Sequence, residues 1–193
     1  MTCGSAIKLK HVQSGGNYYL YSEKSRNAWG SNQQIVTLSR DHLNSVRTLW
    51  WLHGSHNSHN HDTNNCTTAV PIRCGETVVR LSHVATKRNL HSHNFQSSLS
   101  GQYEITAFGD DNYVGDGGDD WIVKCEGEYW KRNSDFRLLH RDTQCYLGAA
   151  TTVFYNEKNC GQECPIMNHL EAFGRKGPAD EYSVFQVESG LFL

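Results

Sequence analysis

The chain has 193 residues, of which 37% are hydrophobic and 11% aromatic, with 17 glycines, 3 prolines and a formal net charge of -2. That charge provides no broad field for phosphate backbones or anionic lipid, and no run approaches the ~20 apolar residues needed to cross a bilayer. Nucleic acid is therefore excluded as an expected partner and membrane insertion as an expected behaviour. A chain this long buries a sizeable core, and one domain over residues 1–193 is the expectation.

Met1 leads through Thr2-Cys3-Gly4 into a β-like run, without the basic-then-apolar pattern of a secretory leader. The run Ile7-Lys8-Leu9-Lys10-His11 is apolar, basic, Leu, variable, His. It recurs as Val79-Arg80-Leu81-Ser82-His83 and as Phe136-Arg137-Leu138-Leu139-His140. Alternation in a strand places the leading apolar residue, the leucine and the histidine on one face and the basic residue on the other. A leucine follows each histidine (Leu20, Leu90, Leu147), and Gly15-Gly16 supplies an extra turn in the first copy. Glycine or serine close to glutamine comes next, at Gly30-Ser31-Asn32-Gln33, Gly101-Gln102 and Gly161-Gln162. An aromatic closes each copy: Trp50 or Trp51, Trp121, and Phe185. The copies span about 1–56, 66–123 and 126–188.

Thr77 to Leu81, Tyr103 to Phe108 and Trp121 to Lys124 are short, β-branched or aromatic, and bounded by Gly, Asn, Asp and Ser, as strands are. Long amphipathic helical periodicity is missing. Three units that cannot bury a face alone are expected to close around one shared core in an all-β barrel.

Between the first and second copies, residues 53–65 carry His53, His56, His59 and His61 in a polar, asparagine-rich setting. The imidazoles could hold a soft metal, but the composition reads as an inert insertion. His91 and His93 lie two apart, so both project from one strand face, a candidate binding surface. No third ligand is evident beside them, and a metal is not expected. The segment 109–120 gathers Asp110, Asp111, Asp116, Asp119 and Asp120 among glycines. It fails the EF-hand template at Val114 and Trp121, which leaves two readings, a solvated acidic turn or an acidic docking patch centred on Asp110, Asp111 and Asp116. The sequence contains no nucleophile elbow, HExxH or phosphate-cradling loop, so neither an enzyme nor a cofactor is expected.

Seven cysteines without a zinc-like CxxC pair indicate disulfides and an oxidising compartment. Cys3, Cys66, Cys74 and Cys125 stand at repeat boundaries, Cys160 and Cys164 could close a small loop, and spacing leaves the connectivity open. Asn65-Cys66-Thr67 fits a glycosylation sequon at Asn65.

Leu90-His91-Ser92-His93, Cys74-Gly75, Phe108-Gly109-Asp110-Asp111 and Asp119-Asp120-Trp121 together resemble the MIR repeats of the stromal cell-derived factor 2 family. The likeness covers the whole chain. The third copy departs from it at Gly148-Ala149-Ala150 and in the stretch holding Cys160, Cys164 and Pro165, and the first departs at Tyr21-Ser22-Glu23. The resemblance implies a β-trefoil: six barrel strands and six more capping it as hairpins. It also implies a non-enzymatic protein of the endoplasmic reticulum lumen, or a secreted one, that associates with a lumenal J-domain co-chaperone and with unfolded polypeptides. MIR modules also accompany protein O-mannosyltransferases, and trefoils serve as lectins, in which Tyr18, Tyr19 and Tyr155 would stack on sugars. The Gln-x-Trp signature of one lectin class is missing here: the glutamines read Gln33-Gln34-Ile35, Gln102-Tyr103-Glu104 and Gln162-Glu163-Cys164.

Overall fold

The computed structural model describes residues 1–28, 30–40, 45–56, 66–110 and 115–192. Among these residues the strands are β1 (Ser5–His11), β2 (Tyr18–Arg26), β3 (Gln34–Ser39), β4 (Trp50–Gly54), β5 (Val78–His83), β6 (Asn89–Gln96), β7 (Tyr103–Phe108), β8 (Trp121–Cys125), β9 (Phe136–His140), β10 (Tyr146–Gly148), β11 (Leu170–Glu171), β12 (Phe173–Arg175) and β13 (Phe185–Phe192). The helical parts are one four-residue α-helix, α1 (Glu157–Cys160), and 3-10 turns at Val46–Thr48, Gly117–Asp119 and Glu181–Ser183.

Antiparallel pairing runs β1–β4–β5–β8–β9–β13 and returns from β13 to β1, closing a six-stranded barrel without a free edge. The other strands form hairpins β2–β3, β6–β7 and β10–β12, joined to one another through β3–β7, β7–β12 and β3–β11. This is a β-trefoil. The expected alternation holds in each first strand: Ile7, Leu9 and His11, Val79, Leu81 and His83, and Phe136, Leu138 and His140 are buried, while Lys8, Arg80 and Arg137 are only partly covered. Trp50, Trp121 and Phe185 fill the barrel beside them.

Each strand-ending histidine stands directly opposite an aromatic of the neighbouring barrel strand, in the register pairs His11↔Phe185, Trp50↔His83 and Trp121↔His140. The ring centroids are 5.1, 5.0 and 4.8 Å apart. Nε2 of each imidazole meets a carbonyl in one of the 3-10 turns: Tyr182 at 2.9 Å, Arg47 at 3.0 Å and Gly118 at 3.0 Å. A carbonyl only accepts, so Nε2 carries the proton and donates. Nδ1 then accepts from Thr86 in the second copy and Thr143 in the third, at 2.8 Å in both cases. In the first copy Ser14 stands at the matching position, but its hydroxyl donates to the His11 carbonyl at 2.9 Å, and His11 Nδ1 lacks a partner among the described residues.

The third copy carries an excursion between β10 and β11. It holds α1 and packs Tyr155, Cys164 and Ile166 with Ile35 of β3 as a second small core. The cysteines pair as Cys3–Cys66, Cys74–Cys125 and Cys160–Cys164, with Cα separations of 5.5, 5.1 and 5.3 Å, and Cys145 is free and buried. The first two bridges tie repeat boundaries and the third closes the small loop. Asn65 lies outside the described residues.

Burial lowers all three clasp histidines from their ordinary value, His83 to about 4. Below roughly pH 6.5 the unfolded chain takes up protons that the folded chain refuses, so stability is full above that pH and falls towards pH 4. Urea unfolding at pH 7.5 and pH 5 should differ by about 2 kcal/mol for His83 alone, and a pH-independent midpoint would contradict the neutral clasp. Replacing Cys74 and Cys125 together by alanine should cost about 2–4 kcal/mol in the same assay, because the bridge closes a loop spanning 51 residues of separation.

Candidate functional site

The second hairpin carries the histidine pair. On β6, His91 and His93 do share one side, with ring centroids 5.2 Å apart in an edge-to-face contact. They differ in what surrounds them, however. His91 is buried, and its Nδ1 lies 3.0 Å from Asp119 Oδ1 and 3.8 Å from Asp116 Oδ1. It packs so closely beneath the Gly117–Asp119 turn that a Cβ added at Gly118 would stand 2.2 Å from its ring. The expected pair of outward imidazoles is thus corrected to one enclosed and one half-exposed.

Asp119 is itself fully buried and is held by Asn89 Nδ2 at 3.1 Å and the Asp116 amide at 3.3 Å, while Asp116 Oδ1 accepts from the Gly118 amide at 2.8 Å. His91, Asp116 and Asp119 bring ligand-type atoms within 4.8 Å of one another, which supplies the third group that the sequence did not reveal. Each of those groups already serves a hydrogen bond that builds the turn, so the trio is a structural network first.

His93 Nε2 donates to Glu104 Oε2 at 2.7 Å. Glu104 Oε1 also accepts from Asn27 Nδ2 at 2.5 Å and from the Ser31 amide at 3.1 Å. Burial alone would raise this carboxyl, but the hydrogen bonds from His93 and Ser31 outweigh it and hold Glu104 below its ordinary value. The clasp leaves no room at Gly30, where a Cβ would fall 1.9 Å from Glu104 Oε1. Glu171 does the same for the next hairpin, accepting from the amides of Leu99 at 2.7 Å and Ser100 at 2.9 Å. Register pairs Tyr21↔Thr37 and His91↔Thr106 put Ile35 where Glu104 stands, and Ile35 packs instead against the third-copy excursion. Sequence reading missed both glutamates. Their signal was the recurring Gly, Ser and Gln of the hairpin turns, which are the segments they cap.

Beyond His93 the row continues to Phe95, whose ring centroid is 5.7 Å away and which is 48% exposed at the end of β6. His93, Phe95 and the exposed Asp116 are therefore the accessible groups of this region. Asp110 is not among them. It lines a separate pocket with Trp51, His53, Arg80 and Lys87. Asp111 lies outside the described residues.

The five-carboxylate patch is corrected as well, because Asp119 and Asp120 are both inside the protein. Asp120 accepts from the His56 amide at 3.1 Å, and its other oxygen lies 2.8 Å from His56 Nδ1. His56 is accordingly pinned and not part of a loose insertion, while His59 and His61 lie outside the described residues. Tyr18, Tyr19 and Tyr155 are also corrected: all three are buried and present no stacking platform to a sugar.

No protein-family model matches the chain. Stromal cell-derived factor 2 of Bos taurus is 37% identical over 195 residues, covering all of this chain and 82% of the relative. The crystal structure of the SDF2-like protein from Arabidopsis thaliana superposes with a TM-score of 0.82 at 29% identity, covering 100% of this chain and 97% of the other. The S. cerevisiae protein O-mannosyltransferase Pmt1-Pmt2 complex bound to the sugar donor superposes with a TM-score of 0.80 at 27% identity, over 99% of this chain and 25% of that one. The barrel, its hairpins and an identity that runs the whole length together make this chain a member of the stromal cell-derived factor 2 family.

Proposed function

We propose that the chain is a non-enzymatic binding protein of the endoplasmic reticulum lumen that associates with a J-domain co-chaperone and holds unfolded polypeptides in quality control. The observation that carries this reading is membership of the stromal cell-derived factor 2 family along the whole chain. The likeness to an O-mannosyltransferase complex and the cysteine pairs at repeat boundaries fit the secretory pathway and its oxidising environment.

The accessible part of the second hairpin is the client surface in this reading. A closed barrel and two carboxylate-capped turns hold His93 and Phe95 in place, so little ordering entropy is lost when a chain docks. Phe95 supplies the apolar contact that an unfolded segment seeks, and Asp116 supplies a charge that favours basic flanks. Asp116 forms the acidic rim of this surface, and His91 acts by positioning the turn that carries it.

A second reading, an accessory module for protein O-mannosylation that recognises glycan or acceptor, is favoured by the Pmt1-Pmt2 likeness. The two are separated by affinity capture from lumenal extract, eluting once with free mannose and once with reduced, unfolded polypeptide. Release of a J-domain protein and nascent secretory chains by the unfolded competitor is the expected outcome, and release of glycoproteins by sugar alone would overturn it. Phe95→Ser should weaken capture of an unfolded polypeptide about tenfold, equivalent to ~1.4 kcal/mol, while leaving the urea midpoint nearly unchanged because the ring is half exposed.

A further inference from the structure

The basic position of each first strand meets a different environment in each copy. In the second copy Arg80 pairs in register with His53, and its Nε donates to the Gly54 carbonyl at 2.7 Å. Asp110 lines the same pocket. In the third copy Arg137 pairs in register with Lys124, which sets two cations directly opposite on one face of the barrel. Such a pair is destabilising by itself.

No ion pair among the described residues offsets it. Arg137 Nε is buried without a hydrogen-bond partner among the described residues. No described carboxylate makes an ion pair within 4.0 Å of Arg137, Lys124 or Lys131. All three cations line one open pocket of about 950 Å³, together with Tyr146. Glu126 and Asp135 also line it, so the local balance is three cations to two carboxylates, and Asp135 is engaged by Gln186 Nε2 at 2.7 Å. Where the second copy satisfies its arginine with a backbone carbonyl, the third leaves the donor unused and adds a second cation beside it.

We infer that this pocket binds a phosphate monoester. A guanidinium offers a fork of parallel donors and lysine a point charge, and a tetrahedral dianion has enough oxygens to engage both at once. Its charge relieves the Lys124–Arg137 repulsion that the protein itself leaves standing. The pocket is larger than a phosphate group, within the range of small-ligand sites, and Tyr146 gives the organic part a flat apolar face.

The test is a titration of the intact chain, followed by backbone amide shifts at low ionic strength and again at roughly 0.15 M salt. The probes are inorganic phosphate, glucose 6-phosphate and O-phosphoserine, with glucose and serine as phosphate-free controls. Saturable shifts confined to β8, β9 and Tyr146 are expected with the esters and not with the controls. The tighter ester tells whether a sugar or a side chain is the source of the phosphate.

Arg137→Gln and Lys124→Gln should each weaken binding about tenfold or more. They should not lower the thermal midpoint, since each removes one member of a like-charge pair. Arg80→Gln, at the corresponding place in the second copy, should leave binding unchanged. The proposal is overturned if no ester shifts these amides at about 10 mM, or if Arg80→Gln weakens binding as much as Arg137→Gln, which would mark generic surface attraction.

Discussion

A neutral histidine pressed against an aromatic ring, and hydrogen-bonded to a carbonyl of a 3-10 turn, recurs at each junction between copies, and the barrel depends on it. None of the three units can bury its apolar face alone, so closure requires a contact that joins each copy to the next. His83 reaches back to Trp50, His140 to Trp121, and His11 crosses from the first copy to Phe185 of the last. The third of these contacts joins the two ends of the chain. An imidazole suits the role because it covers an aromatic face with one surface while its edge nitrogens are free to make directed hydrogen bonds, Nε2 in all three copies and Nδ1 in the second and third. Its cost is that the ring must remain neutral, which couples the integrity of the barrel to pH.

Variation among the copies is concentrated where that contact does not reach. Trp50 and Trp121 donate through Nε1 to Leu20 and Leu90, both at 3.0 Å, and so tie the barrel to its hairpins. Phe185 has no such donor, and the third hairpin is also the one with short strands and a disulfide-closed excursion. The hairpin turns show a parallel divergence. Two are capped by buried carboxylates, Glu104 and Glu171, while the corresponding place in the first copy is the apolar Ile35, matched to the excursion it covers. A polar clasp and an apolar one thus occupy equivalent positions, each satisfying its own partner.

The same asymmetry shapes the surface. On β6 the second copy extends a row from the enclosed His91 through His93 to an exposed Phe95. Among the described residues, the third copy alone sets two cations face to face. A pseudo-symmetric scaffold of this kind offers distinct surfaces at geometrically related places, and function follows from the side chains and not from the fold.

Much of the architecture was legible in the amino-acid sequence. The recurring apolar, basic, Leu, variable, His pattern carries the strand period of two, so which residues face inward followed directly, as did the copy number and the closing aromatics. Cysteine usage indicated disulfides, whereas their pairing as Cys3–Cys66 and Cys74–Cys125 emerged only when the boundaries came together in space. The roles of the charged residues were the part that sequence could not supply. Asp119 and Asp120 look identical to Asp110 and Asp116 in a row of letters, yet the first two are inside the protein, pinned by His91 and Asn89 of β6 and by His56 just beyond β4. Burial of a polar group depends on partners brought by the fold, and those partners here lie 28 to 64 residues away. Local period therefore determined the barrel, and tertiary structure alone decided which of its carboxylates and imidazoles are framework and which are surface.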